Sequence, residues 1–211
     1  MAELNQIIGA LRLMAETIEK NKEHLTELDG AIGDGDHGIN MSRGFAFVKE
    51  TLDKGGFQNA GDLFKKCGMA LVAHVGGASG PLYGTAFLRA AMVLKDREDV
   101  HAADYVQILK DAAEGIKMRG KSDRGEKTML DALIPAYEAA ADAVQQGKSA
   151  QEILNAAKVA AAEGAVGTEK LVAQKGRASY LGERSIGHQD PGAASAALVL
   201  AAVADYFAAE K

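Results

Sequence analysis

Apolar residues recur at helical spacing along most of this sequence, and no segment alternates apolar and polar residues for long enough to predict a strand. The first segment shows the pattern clearly, since Leu4, Ile7, Leu11, Met14 and Ile18 would share one face of a helix. Alanine is abundant and runs of β-branched residues are scarce, which also favours helix. The sequence therefore predicts an all-α fold.

Eight helices can be placed in one domain that spans residues 1–211. Two of them begin at a proline, which the first helical turn accepts because the missing N–H would have no partner there. In the last helix Asp190 stands directly before Pro191 and is a good N-cap. Gly164 and Gly167 are weak points in the seventh helix. We expect the helices at about residues 3–27, 38–54, 59–74, 81–95, 102–118, 127–146, 149–174 and 190–211.

Composition argues against several classes of partner. The net charge is −5 with acids and bases mixed along the chain, aromatic residues make up 5% and tryptophan is absent, so nucleic acid is not the expected ligand. Cys67 is the single cysteine, which excludes an internal disulfide and fits a reducing, cytoplasmic setting. The most apolar run, 193–204, carries a serine and is too short to span a bilayer. It predicts a buried helix, and no membrane association is expected.

Glycine is concentrated in every second connection between the predicted helices. In an up-down bundle the odd-numbered connections lie at one end and the even-numbered ones at the other. The odd connections hold 13 of the 24 glycines and the even ones hold three, so the odd end has the backbone freedom that close approach to a ligand requires. The odd connections are 29–38, 75–81, 119–127 and 176–192, and the even ones are 54–57, 96–101 and 146–148.

Three carboxylates lie close together in the first odd connection, at Asp29, Asp34 and Asp36, with glycines between them. Carboxylate oxygens without thiolates suit a hard cation such as Mg²⁺ or Ca²⁺. An EF-hand is excluded, because the twelfth position counted from Asp34 is Phe45 and not glutamate. The alternative is a solvated turn in which an aspartate caps the next helix. The carboxylates and glycines together predict a hard-cation site.

The other odd connections carry weaker signals. The segment 76–81 opens a helix, and N–H groups at a helix start attract anions, but the GK[ST] ending of a P-loop is missing and a tight interhelical turn is an equal explanation. Arg177 can neutralise phosphate charge through paired hydrogen bonds. For His37 and His188, contact with a nucleotide or a structural role fits better than catalysis. Met129 is by default a core residue, and the sequence offers no strong candidate for a nucleophile.

Taken together, four stretches resemble a known family. Residues 29–41 (DGAIGDGDHGINM), 75–85, 120–131 and 175–192 resemble the L subunit of dihydroxyacetone kinase in their order and spacing. The resemblance covers essentially the whole chain, with no departure at the key positions. It implies an eight-helix antiparallel up-down barrel with ADP or ATP at one end. It also implies two Mg²⁺ ions that are held by Asp29, Asp34 and Asp36 and bridge the phosphates.

The same resemblance assigns further residues to the nucleotide. Arg177 would also be the catalytic candidate, since a guanidinium can steady charge on a phosphoryl group in transfer. We expect Arg177→Ala to impair phosphoryl transfer more than nucleotide binding. The residues placed around the nucleotide are His37, Gly38, Ile39, Asn40, Ala78, Ser79, Gly120, Met129, Arg177, Asp190, Pro191 and Gly192.

The resemblance further implies that the chemistry is divided between subunits. In this family dihydroxyacetone is bound covalently through a histidine of a separate K subunit. In the version linked to the phosphotransferase system, ADP stays bound and a phosphohistidine protein, the M subunit, recharges it to ATP. This chain shows no K-like domain. We therefore expect a cytoplasmic subunit of a phosphoenolpyruvate–glycerone phosphotransferase.

Three alternatives stay open on the sequence alone. One is a split kinase for dihydroxyacetone or a related sugar that exchanges ATP with solvent. Another is an all-helical dimetal hydrolase, which would turn over without partners. The third is a noncatalytic nucleotide-binding scaffold. A phosphoryl-transfer assay with and without K and M partners separates them.

Overall fold

A computed structural model of the chain describes residues 1–95, 97 and 99–210. Within these residues there are nine α-helices, two 3₁₀ helices and no strand, and one isolated bridge pairs Ala2 with Val100. The predicted all-α class is therefore confirmed. The α-helices are α1 Leu4–Lys20, α2 Lys22–Ile32, α3 His37–Lys54, α4 Ala60–His74, α5 Ser79–Val93, α6 Ala102–Gly120, α7 Leu130–Gln145, α8 Ala150–Gly167 and α9 Pro191–Ala209. The 3₁₀ helices are Thr168–Lys170 and Arg177–Ser185.

Eight of the α-helices form a closed ring. α1 packs on α3, each following helix packs on the next, and α9 returns to pack on α1, while the short α2 lies against α3 and α9. Short connections between neighbouring helices make successive helices antiparallel. The inward faces enclose an apolar cavity of about 330 Å³ lined by side chains that include Leu11, Phe87, Leu133 and Leu200. The predicted eight-helix antiparallel barrel is confirmed.

The last helix, α9, is a wall of this barrel. Within the described ranges it is the one helix that is long and apolar enough to cross a membrane by length and composition, with a mean hydropathy of 1.6. Half of that apolar stretch is buried inside the protein, and α9 packs on α1, α7 and α8. The buried helix predicted over 193–204 is confirmed.

The first predicted helix, 3–27, is wrong in its bounds because it is broken at Asn21. Asn21 has φ −102° and ψ 14°, away from helical values, and both its backbone N–H and its side-chain amide donate to the Thr17 carbonyl, at 3.1 and 2.8 Å. α2 then starts at Lys22 and continues to Ile32. Asp29 therefore lies in the last turn of a helix and not in a loop.

The seventh predicted helix, 149–174, is also wrong, because α8 ends at Gly167. The carbonyls that would continue it have other partners: Lys127 Nζ donates to the Thr168 carbonyl at 2.6 Å, and the Gly187 amide donates to the Glu169 carbonyl at 2.7 Å. Smaller differences are found at α5, which begins at Ser79, and at α7, which begins at Leu130. The predicted connection 96–101 and the predicted helix end at Lys211 fall partly outside the described residues.

The two glycines of α8 differ in what surrounds them, and this predicts opposite effects of alanine. A Cβ at Gly164 would overlap the Asp131 carbonyl oxygen of α7, whereas a Cβ at Gly167 would meet open space. Gly164→Ala should lower the free energy of unfolding by about 1–3 kcal/mol through overpacking. Gly167→Ala should leave it unchanged or raise it by up to about 1 kcal/mol. Urea denaturation measures both, and equal effects would contradict the close α7–α8 approach.

Candidate functional site

Side-chain contacts join the glycine-rich odd connections at one end of the barrel. Ser79 Oγ lies 3.2 Å from His37 Nδ1 and links the first two connections. Arg177 Nη2 lies 2.9 Å from Asp34 Oδ2 and links the first to the fourth. The third connection is bonded to the fourth through Lys127, which donates to the carbonyl of residue 188. The expected clustering of the odd connections is confirmed.

The three aspartates of the first connection converge. Asp29 lies in the last turn of α2, Asp34 in the following turn and Asp36 at the N-cap position of α3. Gly35 between them has φ +72°, a conformation that favours glycine. Each aspartate offers a carboxylate oxygen, and these oxygens lie within 4.8 Å of one another. Such a set of hard donors fits Mg²⁺ or Ca²⁺, so the residues present are compatible with the predicted cation.

Asp29 also shapes the start of α3. Its Oδ2 accepts hydrogen bonds from the Asp36 amide at 2.9 Å and the His37 amide at 3.1 Å. Its carboxylate also lies against Gly33, where a Cβ would overlap Oδ1. In the part of the chain that the structure describes, the Asp36 side chain makes no capping hydrogen bond. Asp36 therefore does not cap α3 through its side chain, and its carboxylate lies beside those of Asp29 and Asp34.

Arg177 is positioned by the second 3₁₀ helix, which begins immediately after Gly176, at φ +63°. Its side chain is 69% exposed and that of its partner Asp34 is 36% exposed. An ion pair with this exposure contributes little to stability. The structure therefore brings the predicted catalytic candidate to the edge of the carboxylate cluster, in a weak contact that a ligand can replace.

His37 is held at both ring nitrogens in a buried network. Nδ1 faces Ser79, while Nε2 lies 2.9 Å from Ser195 Oγ. Ser195 Oγ in turn lies 2.7 Å from the Tyr83 hydroxyl and 3.0 Å from the Gly192 carbonyl. Burial lowers the pKa of His37, although the neighbouring carboxylates oppose this shift. The network fixes the ring and ties the starts of α3, α5 and α9 together.

The starts of α9 and α5 differ in whether a side chain accepts hydrogen bonds from their first backbone N–H groups. Asp190 Oδ2 accepts from the Ala193 amide at 2.7 Å, which confirms the predicted N-cap of α9. Burial raises the pKa of Asp190 to about 7, against the lowering effects of that hydrogen bond and of a nearby lysine. By contrast, no side chain caps the start of α5, where Ala78 and Ser79 stand, within the described residues. The first amides of α5 are therefore available to an anion.

The remaining predicted nucleotide contacts differ in exposure. Gly38 is buried beneath α2, where a Cβ would overlap the Lys22 carbonyl oxygen, so its lack of a side chain serves packing. Asn40 is buried and accepts a 2.6 Å hydrogen bond from Arg43. The others are found as follows: Ile39 is 47% exposed, Gly120 ends α6, Met129 is buried just before α7, and Pro191 and Gly192 form the first turn of α9. Their contact with a nucleotide stays a prediction.

Sequence reasoning missed several residues that organise this end. Lys127 and Thr168 are buried and bonded to each other, and Asp131 accepts from the amides of Gly125 and Thr128 at 2.5 and 2.7 Å. The Lys127–Thr168 contact joins residues 41 positions apart and leaves no local pattern, whereas the partners of Asp131 lie within six residues of it. Ser195 could have been noticed in the sequence, because it is the serine inside the most apolar run of the chain.

The buried network predicts opposite outcomes for two tyrosines. Tyr83→Phe removes a hydroxyl that bonds Ser195, whereas Tyr105→Phe removes a buried hydroxyl with no partner among the described residues. Tyr83→Phe should lower the free energy of unfolding by about 1–2 kcal/mol, and Tyr105→Phe should leave it unchanged or raise it. Thermal or urea unfolding of the two variants is the measurement. Equal destabilisation would show that the Tyr83–Ser195 hydrogen bond adds no stability beyond that of a buried hydroxyl without a partner.

Comparison with known proteins agrees with this geometry. The model of the DAK2 domain family matches residues 31–205. The chain is 45% identical over 190 residues to the Escherichia coli (strain K12) protein named PEP-dependent dihydroxyacetone kinase, ADP-binding subunit DhaL, with 90% of each chain covered. It is 42% identical over 197 residues to the Lactococcus lactis protein named PTS-dependent dihydroxyacetone kinase, ADP-binding subunit DhaL, with 93% of this chain and 94% of that one covered.

A solved structure extends the similarity to three dimensions. The crystal structure of the dihydroxyacetone kinase from C. freundii in complex with AMP-PNP and Mg²⁺ matches with a TM-score of 0.73 and 28% identity. The match covers 97% of this chain and 34% of that chain, so the barrel corresponds to one part of a larger kinase. On the family match and these identities, the chain belongs to the DAK2 domain family, as a DhaL-type subunit of the dihydroxyacetone kinases.

Proposed function

We propose that this chain is the cytoplasmic, ADP-binding subunit of a phosphoenolpyruvate-dependent dihydroxyacetone kinase, and that residues 1–211 form one domain holding Mg²⁺–ADP as a phosphoryl carrier. One observation carries the proposal: Asp29, Asp34 and Asp36 converge beside Arg177 and the uncapped start of α5. Relatives that are 42–45% identical carry names with the same activity, which supports it.

Each group at this end has a part in the proposed function. Asp29, Asp34 and Asp36 would hold two Mg²⁺ ions, which neutralise charge on phosphate oxygens when bound. The first amides of α5 and the Ser79 hydroxyl would donate hydrogen bonds to phosphate oxygens. Arg177 would turn from Asp34 to the terminal phosphoryl group, where it stabilises the charge of the transferring group.

The barrel end supplies positioning and charge, and this suits phosphoryl transfer, which needs little covalent chemistry from the protein. The substrate is then expected on a partner. We propose a K subunit that carries dihydroxyacetone and a phosphohistidine M subunit that recharges the nucleotide. Access for such partners is consistent with the second 3₁₀ helix, where Arg177 is well exposed and Tyr180 is 86% exposed.

The test is the nucleotide that the protein retains. Purified protein should keep ADP through long dialysis with Mg²⁺, as identified by mass spectrometry of the released small molecule. A charged phosphohistidine donor should convert that ADP to ATP in place, and addition of the K subunit with dihydroxyacetone should return it to ADP. Loss of all nucleotide on dialysis would count against the carrier role.

A second candidate is an ATP-dependent kinase subunit with exchangeable nucleotide. It is favoured by the C. freundii complex, which is described as containing AMP-PNP and Mg²⁺. In the same experiment this candidate predicts no retained ADP and a transfer to the K subunit that depends on added ATP. Nucleotide hydrolysis without partners would contradict both candidates and favour a dimetal hydrolase, while nucleotide binding without any transfer would favour a noncatalytic scaffold.

A further inference from the structure

Lys127 is a buried lysine between three segments of the site end. It is 1% exposed, yet its side chain ends in a charged ammonium. Nζ donates to the Thr168 carbonyl at 2.6 Å and also to the His188 carbonyl. One side chain therefore bonds the end of α8 to the segment that leads into α9.

The backbone around Lys127 is held in the conformation that aims this side chain inward. Lys127 has φ +60°, which is sparsely populated by residues with a Cβ, and Gly125 has φ +87°. The Asp131 carboxylate accepts from the amides on both sides, at Gly125 and Thr128. The loop is thus fixed by hydrogen bonds and does not rely on a glycine at residue 127.

Both hydrogen bonds of Lys127 help to hold the segment 188–192, one directly and the other through Thr168. The His188 carbonyl is held directly, and Thr168, whose carbonyl is the other acceptor, uses its Oγ1 to accept from the Asp190 amide at 2.9 Å. Asp190 in turn caps α9. A Cβ on Gly192 would lie 3.7 Å from Met129 Cβ, an ordinary van der Waals distance, so the first turn of α9 lies beside the loop that carries Lys127.

The charges near Lys127 are negative. Asp190, Glu169 and Asp131 act on the ammonium in that order of strength, and their negative charges oppose the lowering of its pKa by burial. The carboxylate cluster of the first connection stands at the same end of the barrel, and phosphate would add further negative charge. A buried cation offsets part of this repulsion at a position that solvent ions do not reach.

Packing alone does not call for a lysine here. A methionine fills a similar volume without the unfavourable desolvation of an ammonium. What the ammonium adds is a pair of directed hydrogen bonds, one to the His188 carbonyl and one to the Thr168 carbonyl, which also accepts from the Leu171 amide at 3.1 Å. The first bond ends in the segment that holds three of the predicted nucleotide contacts, and the second ends at the residue whose hydroxyl accepts from the Asp190 amide.

We propose that Lys127 is a positioning residue for the nucleotide: its ammonium locks the end of α8 to residues 188–192 and so holds Asp190, Pro191 and Gly192 in the geometry that nucleotide binding needs. The proposal rests on the nucleotide-binding function proposed above. It assigns Lys127 no contact with the reacting phosphoryl group.

The experiment compares Lys127→Met with two controls in the full-length protein. Lys121→Met changes the same residue type in the same loop, at an exposed lysine that also has a positive φ of 49°. Gly61→Ala is a stability control, because a Cβ there would overlap the Lys95 backbone where α4 begins, away from the predicted nucleotide contacts. Calorimetry with Mg²⁺–ADP gives the affinity and the fraction of competent protein, and hydrogen exchange of the nucleotide-free protein reports on residues 186–193.

Lys127→Met is expected to weaken Mg²⁺–ADP binding by about tenfold or more and to accelerate exchange in 186–193, whereas Lys121→Met changes neither. The single-turnover transfer rate at saturating nucleotide should stay within about threefold of the unmodified protein, because Lys127 acts on binding geometry. Gly61→Ala should lower the competent fraction or the melting temperature and leave the affinity of the folded protein unchanged.

Two results would overturn the inference: unchanged affinity in Lys127→Met, or a loss that only follows the competent fraction as in Gly61→Ala. If the unmodified protein fails to bind Mg²⁺–ADP, the proposed function fails, and the exchange measurement still decides about Lys127. Unaltered exchange in 186–193 would then show that Lys127 does not hold this segment. If Lys127→Met does not fold, Lys127→Gln retains donors for the two carbonyls and takes its place, with a smaller expected effect in the same direction.

Discussion

Replacing Asp36 by asparagine should abolish most Mg²⁺-dependent nucleotide binding and leave the fold intact. Asp36 supplies one of three carboxylate oxygens within 4.8 Å, and its side chain does not cap α3 in the described structure. The variant therefore removes the charge of a predicted metal ligand without removing a side-chain cap of α3. Loss of an outer-shell partner alone commonly weakens metal binding by about 10–100-fold, so we expect a loss of about 100-fold or more here.

For Asp36→Asn we also expect a definite effect on stability. Without metal, three neighbouring carboxylates repel one another, and removing one charge should leave the free energy of unfolding unchanged or slightly higher. Asp142→Asn, at an exposed carboxylate of α7, is the matched control for both measurements. Titration of Mg²⁺ and ADP by calorimetry, with and without a chelator, provides the test. Tight Mg²⁺-dependent binding by Asp36→Asn would contradict a three-aspartate site.

The fold was largely predictable because its determinants are local. Helical spacing of apolar residues and the Asp190-Pro191 start of α9 are visible within a few positions of sequence. The two wrong helices have different causes. The first is interrupted at Asn21, where the backbone leaves helical angles without a proline or glycine to signal it, and α8 ends where Thr168 meets Lys127, 41 residues away.

The candidate site also has a part that was predictable from the sequence and a part that was not. Asp29, Asp34 and Asp36 are close in sequence, so their type and spacing were sufficient to predict a cluster of carboxylates, and the structure brings their oxygens together. The supporting network was not predictable, because its contacts join residues far apart: His37 bonds Ser195 across 158 positions. Residues that act through partners carry no pattern of their own in a single sequence, whereas those that share one ligand can be neighbours along the chain.

Arg177→Ala should reduce the rate of phosphoryl transfer by about 100–1,000-fold, since removal of one group that stabilises transition-state charge has effects of this size. Nucleotide affinity should change by no more than about fivefold, because the Arg177 side chain is 69% exposed and an exposed ion pair such as the one with Asp34 contributes at most ~1 kcal/mol. The measurement is single-turnover transfer with the K and M partners, together with calorimetry of Mg²⁺–ADP binding.

Two further variants show whether a lower transfer rate in Arg177→Ala comes from the loss of its guanidinium or from weaker partner docking. Arg184→Ala removes an exposed arginine from the same 3₁₀ helix and should leave transfer near normal, so a large effect there would indicate a general loss of partner docking. Arg177→Lys keeps the charge but not the paired donors, and it should recover only part of the rate. Because Arg177 pairs with Asp34, its removal leaves that carboxylate available to metal, and Mg²⁺ affinity should not fall. Equal losses of transfer and nucleotide binding in Arg177→Ala would therefore place Arg177 in binding and remove it from the transfer step.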